Sequence, residues 1–142
     1  MTQEEKQLLL KDLCERLPYG VKILDNTFKK YGASELINIG IDGSMLVDNK
    51  TNDIQYYPII DNIKPYLRPM SSMTAEEEYE YHQCKNIDYL EICEMEHAEM
   101  LKTTALCFSR ATDWLNKNMF DYRGLIPMGL ALEAPEGMYE TK

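Results

Sequence analysis

Leu9, Leu10, Leu13, Cys14 and Leu17 recur at steps of one, three and four residues among polar neighbours, the spacing that lines one side of an α-helix. Thr2-Gln3-Glu4-Glu5 precedes them as a capping box, with Glu5 three residues after the candidate cap Thr2, and Pro18 stops the run. From Val21 to Ile60 the pattern shortens to β-type segments, "YGVKILDNTF", "ELINIGIDGSMLV" and "DIQYYPII", divided by Gly, Asn and Asp. Asp42-Gly43 suits a tight hairpin turn, Asn49-Lys50-Thr51-Asn52-Asp53 a second connection, and Pro58 an edge or a strand end. Three or four antiparallel strands are expected here, with alternate side chains pressed against helices.

"IKPYLRPMSSM", residues 63 to 73, follows; Pro65 and Pro69 bias Lys64 and Arg68 toward extended backbone, which predicts a stiff connection and no helix. Thr74-Ala75-Glu76-Glu77 repeats the capping box and opens a second helical region. Leu90, Cys93, His97, Met100, Leu101, Thr104, Cys107, Phe108, Ala111, Trp114 and Leu115 map onto one helical stripe. One long helix or two fit this stretch, and a break near Asn86 is preferred. After Asn118 the helix has to end, because Asp121, Gly124 and Pro127 come in quick succession. Leu125, Ile126, Met128, Leu130 and Leu132 are too apolar for a free tail. They are expected to lie as an ordered extension against the sheet or the first helix; exposure of part of the run as a contact patch is the alternative. The whole, residues 1–142, reads as one α+β domain: an N-terminal helix, a small antiparallel sheet, then C-terminal helices and an ordered apolar tail.

Charge changes this picture at one place. Residues 76–99 carry Glu76, Glu77, Glu78, Glu80, Asp88, Glu91, Glu94, Glu96 and Glu99 against Lys85 alone, so nearly all of the net charge of −9 sits there. A chain so charged lacks the cationic surface that phosphate binding requires, and no direct nucleic-acid binding is expected. A basic protein surface is the partner that the acidic window would suit, and a merely solvated helix face is the simpler reading. No apolar run is long enough for a membrane span, and the first residues have no basic-then-apolar leader pattern. A cytoplasmic product is expected, with Cys14, Cys84, Cys93 and Cys107 as reduced thiols.

Candidate chemistry is sparse. His82, Cys84, Cys93 and His97 fall within 16 residues but lack a zinc-binding spacing, and neither a nucleophile motif nor a phosphate loop occurs. No catalytic residue, cofactor or metal is assigned. Ten tyrosines against three phenylalanines point instead to contact surfaces, which favour a rigid ring with a hydroxyl. Tyr79 and Tyr81, with Glu91, Glu94 and Glu99, are the candidate partner contacts. Arg68 and Arg123 are the candidate anion contacts; pairing with carboxylates that fix the local loops is the simpler account of both.

"LCERLPYGVK", "IKPYLRPMSSMT" and "DWLNKNMFDYRGLIPMGLALEAPEGMY" together resemble short uncharacterised proteins encoded by phages and integrated elements of gut bacteria. The strings cover about a third of the chain. The resemblance implies a mobile-element origin and brings no activity, cofactor or catalytic residue. It implies a shared frame of connector and tail, around which strands and acidic helix vary. Three functions follow as expectations: a non-enzymatic accessory protein working through protein contacts, directed at a host defence or regulatory protein; a binder of a small anion such as a nucleotide; and an enzyme using the acidic cluster.

Overall fold

The Thr2 hydroxyl accepts the Glu5 N–H and the Glu5 carboxylate accepts the Thr2 N–H, so the box expected from the sequence starts the first helix, α1 (Gln3–Arg16). The structure, a computed structural model, describes residues 1–85 and 96–140. Leu9 and Leu13 of α1 are fully buried, but Leu10 is only half-buried and Cys14 is exposed. The reason is that the inward face of α1 is shared with two charged residues, Asp12 and Arg16, both without exposed surface.

The strands are β1 (Lys22–Asp25), β2 (Ser34–Ile39), β3 (Met45–Asn49), β4 (Ile54–Tyr56), β5 (Ile63–Leu67) and β6 (Leu132–Glu133). They lie in the order β4-β3-β2-β1-β5-β6, all neighbours antiparallel except β5 and β6. The sheet is therefore mixed and six-stranded among the described residues, larger than the expected three or four. Both additional strands come from segments that lack strand patterning. Pro65 sits opposite Ile23 in β5, before the ladder with β6 begins at Tyr66, so the supposed connector is a strand. β6 is two residues of the apolar tail, whose pairing is continued by Ala134 N–H donating to the Leu67 carbonyl at 2.7 Å.

The expected turns are present. The β2–β3 hairpin turns at Gly40–Ser44, where Gly43 takes φ 84° and the Gly40 N–H donates to the Ser44 carbonyl at 2.7 Å. Pro58 follows the short edge strand β4. One face of the sheet carries Ile23, Leu36, Val47, Ile63 and Leu67 into a core with Leu9 and Leu13 of α1 and Met119, Leu125 and Leu130 from beyond the last helix.

Among the described residues two α-helices follow β5, α2 (Ala75–Lys85) and α3 (His97–Lys117). The preferred break near Asn86 falls in residues 86–95, outside the described residues; Glu96, extended at φ −62° and ψ 153°, precedes α3. α3 ends in a Schellman turn: Phe120 N–H donates to the Leu115 carbonyl at 3.0 Å and Met119 N–H to the Asn116 carbonyl at 3.2 Å. Glycine is usual at the left-handed position of such a turn, yet Met119 occupies it at φ 62°. Its fully buried side chain offsets the strain, since burial of a methionine contributes about 1.5–3 kcal/mol against roughly 1–3 kcal/mol for the conformation.

The stripe expected along α3 is only half correct. Cys107, Ala111 and Leu115 are buried, whereas Leu101 is 56% and Phe108 62% exposed. The geometry explains the split. Tyr81 of α2 packs on Trp114 and Arg68 touches both Glu77 and Asn118, so α2 runs antiparallel to the second half of α3. Cys107 and Phe108 are consecutive and so about 100° apart around the helix: Cys107 and Ala111 lie on the Trp114 side, which packs inward, and Leu101 and Phe108 on the outer edge of the stripe.

The tail is ordered: Leu125, Leu130 and Ala131 are buried, and Met128 between them is exposed. Its end is pinned by Tyr139, whose hydroxyl accepts the Lys22 N–H at 2.9 Å and donates to the Tyr66 carbonyl at 2.6 Å. Ile23 opposite Pro65 is the last direct pair on this side of the β1–β5 ladder. The phenol supplies the next connection and holds the two strands at that end. Burial pushes the Tyr139 hydroxyl well above its ordinary pKa, so it stays a donor at any physiological pH. Tyr139→Phe is expected to lower stability by roughly 1–3 kcal/mol in urea denaturation, because it leaves a strand N–H and a carbonyl without their partner. Deletion of residues 124–142 is expected to give an insoluble or molten product, read as loss of the near-ultraviolet dichroism; an unchanged melting transition would refute the packing role of the tail.

Candidate functional site

Arg68 and Arg123, the two candidate anion contacts, are both engaged by the protein's own carboxylates. Arg68 follows β5, and its backbone pairs with the chain leaving α3: its N–H donates to the Met119 carbonyl at 2.7 Å and its carbonyl accepts the Asp121 N–H at 2.8 Å. Its guanidinium forms a two-pronged pair with Glu77, Nη1 to Oε2 and Nη2 to Oε1, each 2.7 Å, and lies 4.2 Å from the Phe120 ring centroid. Glu77 is also the closing residue of the second capping box, accepting the Thr74 N–H at 3.1 Å. One carboxylate thus starts α2 and ties it to β5. The Arg68 hydrogen bonds, stronger than the opposing burial, hold the Glu77 carboxyl below its ordinary pKa.

Arg123 belongs to a different cluster. Its Nη1 donates to Asp12 Oδ1 at 2.7 Å and its Nη2 to Glu15. The other Asp12 oxygen accepts from Arg16 Nε at 2.9 Å, and Arg16 Nη2 donates to the Phe120 carbonyl at 2.7 Å. Tyr122 donates its hydroxyl to Glu15 at 3.0 Å and stands within 3.0 Å of Asn116 Oδ1. Burial raises the Glu15 carboxyl, but the hydrogen bonds from Arg123 and Tyr122 outweigh it and leave the group below its ordinary value. The same two carboxylates outweigh burial at Arg123 and raise it further above neutrality. Arg68 and Arg123 share no hydrogen-bond partner among the described residues, so the structure does not bring them to one point.

A cleft of about 570 Å³ opens beside Arg68, between the end of α3 and the tail. Among the described residues its walls carry Glu77, Glu133, Glu136 and Glu140 against Arg68 and Lys117. With Arg68 already neutralised by Glu77, the field in this cleft opposes an anion.

The candidate protein contacts divide. Tyr81 is half-buried, its ring 5.7 Å from that of Trp114 and 4.7 Å from the Lys85 ammonium, so it seats α2 on α3. Tyr79 is 67% exposed on the opposite side of α2. Around it Glu76, Glu78 and Glu80 are exposed as well, and Glu99 is exposed on α3. Glu91 and Glu94, with Cys93 of the histidine–cysteine group, lie outside the described residues. Among the described residues, no three His, Cys, Asp or Glu side chains gather to hold a metal ion, and no helix is long and apolar enough to cross a membrane. Cys14 and Cys84 are free thiols; Cys107 is buried, with Arg110 Nη2 3.2 Å from its sulfur.

The residues that sequence reasoning missed are Asp12, Glu15 and Arg16. An Asp and an Arg four apart on a helix look like a solvated pair, and the only available signal was that Asp12 and Arg16 fall on the leucine side of α1. Comparison with family profiles, curated proteins and solved structures finds no match to this chain.

Two outcomes test this electrostatic account. Asp12→Ala removes the carboxylate that meets fully buried Arg16 and is expected to cost about 3–5 kcal/mol in urea unfolding. Glu15 and Glu77 have folded pKa values below the ordinary 4.5, so their stabilisation is fully present above that value and is lost as pH falls through the folded values. Glu77→Gln preserves a capping residue but not the ion pair. It should lower the melting temperature at pH 7 and shrink the fall in stability between pH 4.5 and the acid transition; an acid limb identical to the wild type would count against the Arg68 pair.

Proposed function

We propose that this protein is a non-enzymatic accessory protein of a phage or mobile element, acting in the cytoplasm by binding a host defence or regulatory protein through a basic surface. The observation that carries this reading is Tyr79, 67% exposed on α2, with exposed Glu76 on its face beside His82 and Gln83 and exposed Glu78 and Glu80 on its two flanks. A ring two-thirds exposed contributes little to the fold. It contributes to binding, because Tyr supplies area at little entropic cost, and acids around it select for a cationic partner. The concentration of acids in residues 76–99 supports the same choice of partner. The mobile-element origin rests on the resemblance of the connector and tail strings.

The expected behaviour is fast association at low salt that weakens as ionic strength rises. Capture from host lysate on the immobilised protein, followed by affinity measurement with the captured partner, tests it. Tyr79→Ala is expected to weaken binding about tenfold, as loss of an aromatic anchor does. Glu76→Lys with Glu80→Lys should slow association and flatten its salt dependence, with little change in melting temperature because solvated charges contribute tenths of a kcal/mol. Unchanged affinity and salt dependence in both variants would make this face a solvated one. A melting temperature raised by nucleotides, with no protein captured, would favour an anion-binding function instead.

A further inference from the structure

α2 is docked without an aliphatic side chain. Its half-buried residues are Glu77, Tyr81, Cys84 and Lys85, at steps of four, three and one, so they form the side turned to the fold. Its other residues are exposed and none is buried. α2 accordingly supplies nothing to the apolar core, which α1, the sheet, the turn after α3 and the tail share. It is joined to the fold by the two-pronged Glu77–Arg68 pair, each bond 2.7 Å, and by the Tyr81 ring, 5.7 Å from that of Trp114. Lys85 turns back onto Tyr81 of its own helix. An element that buries no apolar side chain opens locally at small cost, and 11 residues are too few to stay helical alone.

The connection before α2 is built to bend at one place. On its near side, the Arg68 backbone is fixed to Met119 and Asp121. On its far side, Thr74 belongs to α2, because its N–H donates to the Glu77 carboxylate and its hydroxyl accepts the Glu77 N–H. Among the described residues, the hydrogen bonds of the stretch between them close on itself: the Ser72 N–H and hydroxyl donate to the Pro69 carbonyl, and the Met73 N–H donates to that of Met70. What α2 covers stays in place without it. Trp114 is part of α3 and stacks on Phe120 at 5.7 Å and 12°, while Arg68 lies over the same Phe120 ring at 4.2 Å.

We propose that α2 is a hinged flap. It lifts from α3 as one unit, turning on residues 69–73, while α1, the sheet, the end of α3 and the tail remain folded. The Glu77–Arg68 pair is its latch. Opening replaces an acidic surface by an aromatic and cationic one, Trp114 beside the freed Arg68 guanidinium. The flap is independent of the partner proposed above, since it concerns how α2 is held, whichever molecule Tyr79 meets.

Residue-resolved hydrogen exchange of the full chain, followed by NMR at several sub-denaturing urea concentrations, tests it. Amides 78–85 are expected to exchange at one common rate, roughly a hundredfold or more faster than those of β1 and β5 and with a weaker urea dependence. Glu77→Gln, which keeps a capping residue, should speed exchange at 78–85 about tenfold. Arg68→Lys, which keeps the charge but cannot form both bonds, should act in the same direction. Amides 78–85 as protected as those of β1 and β5, with the same urea dependence, overturn the flap, because α2 then opens only when the whole domain unfolds. Rates graded from residue 85 back to residue 78 overturn the single unit in favour of fraying from one end. Rates at 78–85 unchanged in both variants overturn the latch. The wild-type pattern decides between flap and global unfolding even if a variant fails to fold.

Discussion

A guanidinium taken wholly out of water, as that of Arg16 is, has to be met by a carboxylate and by carbonyl oxygens, because an uncompensated buried charge costs several kcal/mol. Arg16 is met by Asp12 one turn earlier in α1 and by the carbonyl of Phe120, a residue 104 positions away. Asp12 in turn is met by Arg123, and Arg123 by Glu15. The first helix and the turn that follows the last helix therefore share one charge-balanced cluster, in which Arg16 Nη1 is buried without a hydrogen-bond partner. The core leucines of α1 and of the tail then close around this cluster. Burial of apolar area supplies most of the driving force, and the cluster determines in which relation the two segments meet.

The second constraint is economy in the use of Glu77. Its carboxylate closes a capping box at the start of α2 and forms both bonds to Arg68, whose backbone is already joined to residues 119–121. β5, the beginning of α2 and the end of α3 are held together by that one pair and by the Phe120 ring beneath the guanidinium. The consequence for function is direct. The two arginines with the best claim to an incoming anion are committed to structure, and the surfaces left unsatisfied are of another kind: an exposed tyrosine among acids on α2, and the exposed Leu101 and Phe108 on α3.

α3 illustrates why those surfaces exist. It is amphipathic, and α2 meets it on the side of Trp114. A helix whose apolar side extends beyond its intramolecular partner keeps the pattern of a buried element on a solvent-facing stretch. Leu101 and Phe108 belong to the same periodic pattern as Cys107 and Ala111; their place on its outer edge distinguishes them.

Local chemistry was sufficient to determine α1, its cap, the Asp42-Gly43 hairpin, the β2 and β3 strands, the start of α2 at Thr74 and the end of α3, because each depends on residues within a few positions of one another. It was sufficient also for the α+β class and for the apolar character of the tail. What it left open was every choice that depends on two distant segments meeting. The proline-bearing connector became β5 because β1 supplied a partner for it, and the tail became β6 because Tyr66 and Leu67 offered a free edge. Arg68 and Arg123 were visible as charged residues in apolar surroundings, but which carboxylates would meet them was decided by a turn at Met119 and by a helix more than a hundred residues earlier. Periodicity marks the side of a helix that avoids water, whereas only the tertiary structure determines how much of that side finds something to cover it, since coverage depends on where the neighbouring elements lie.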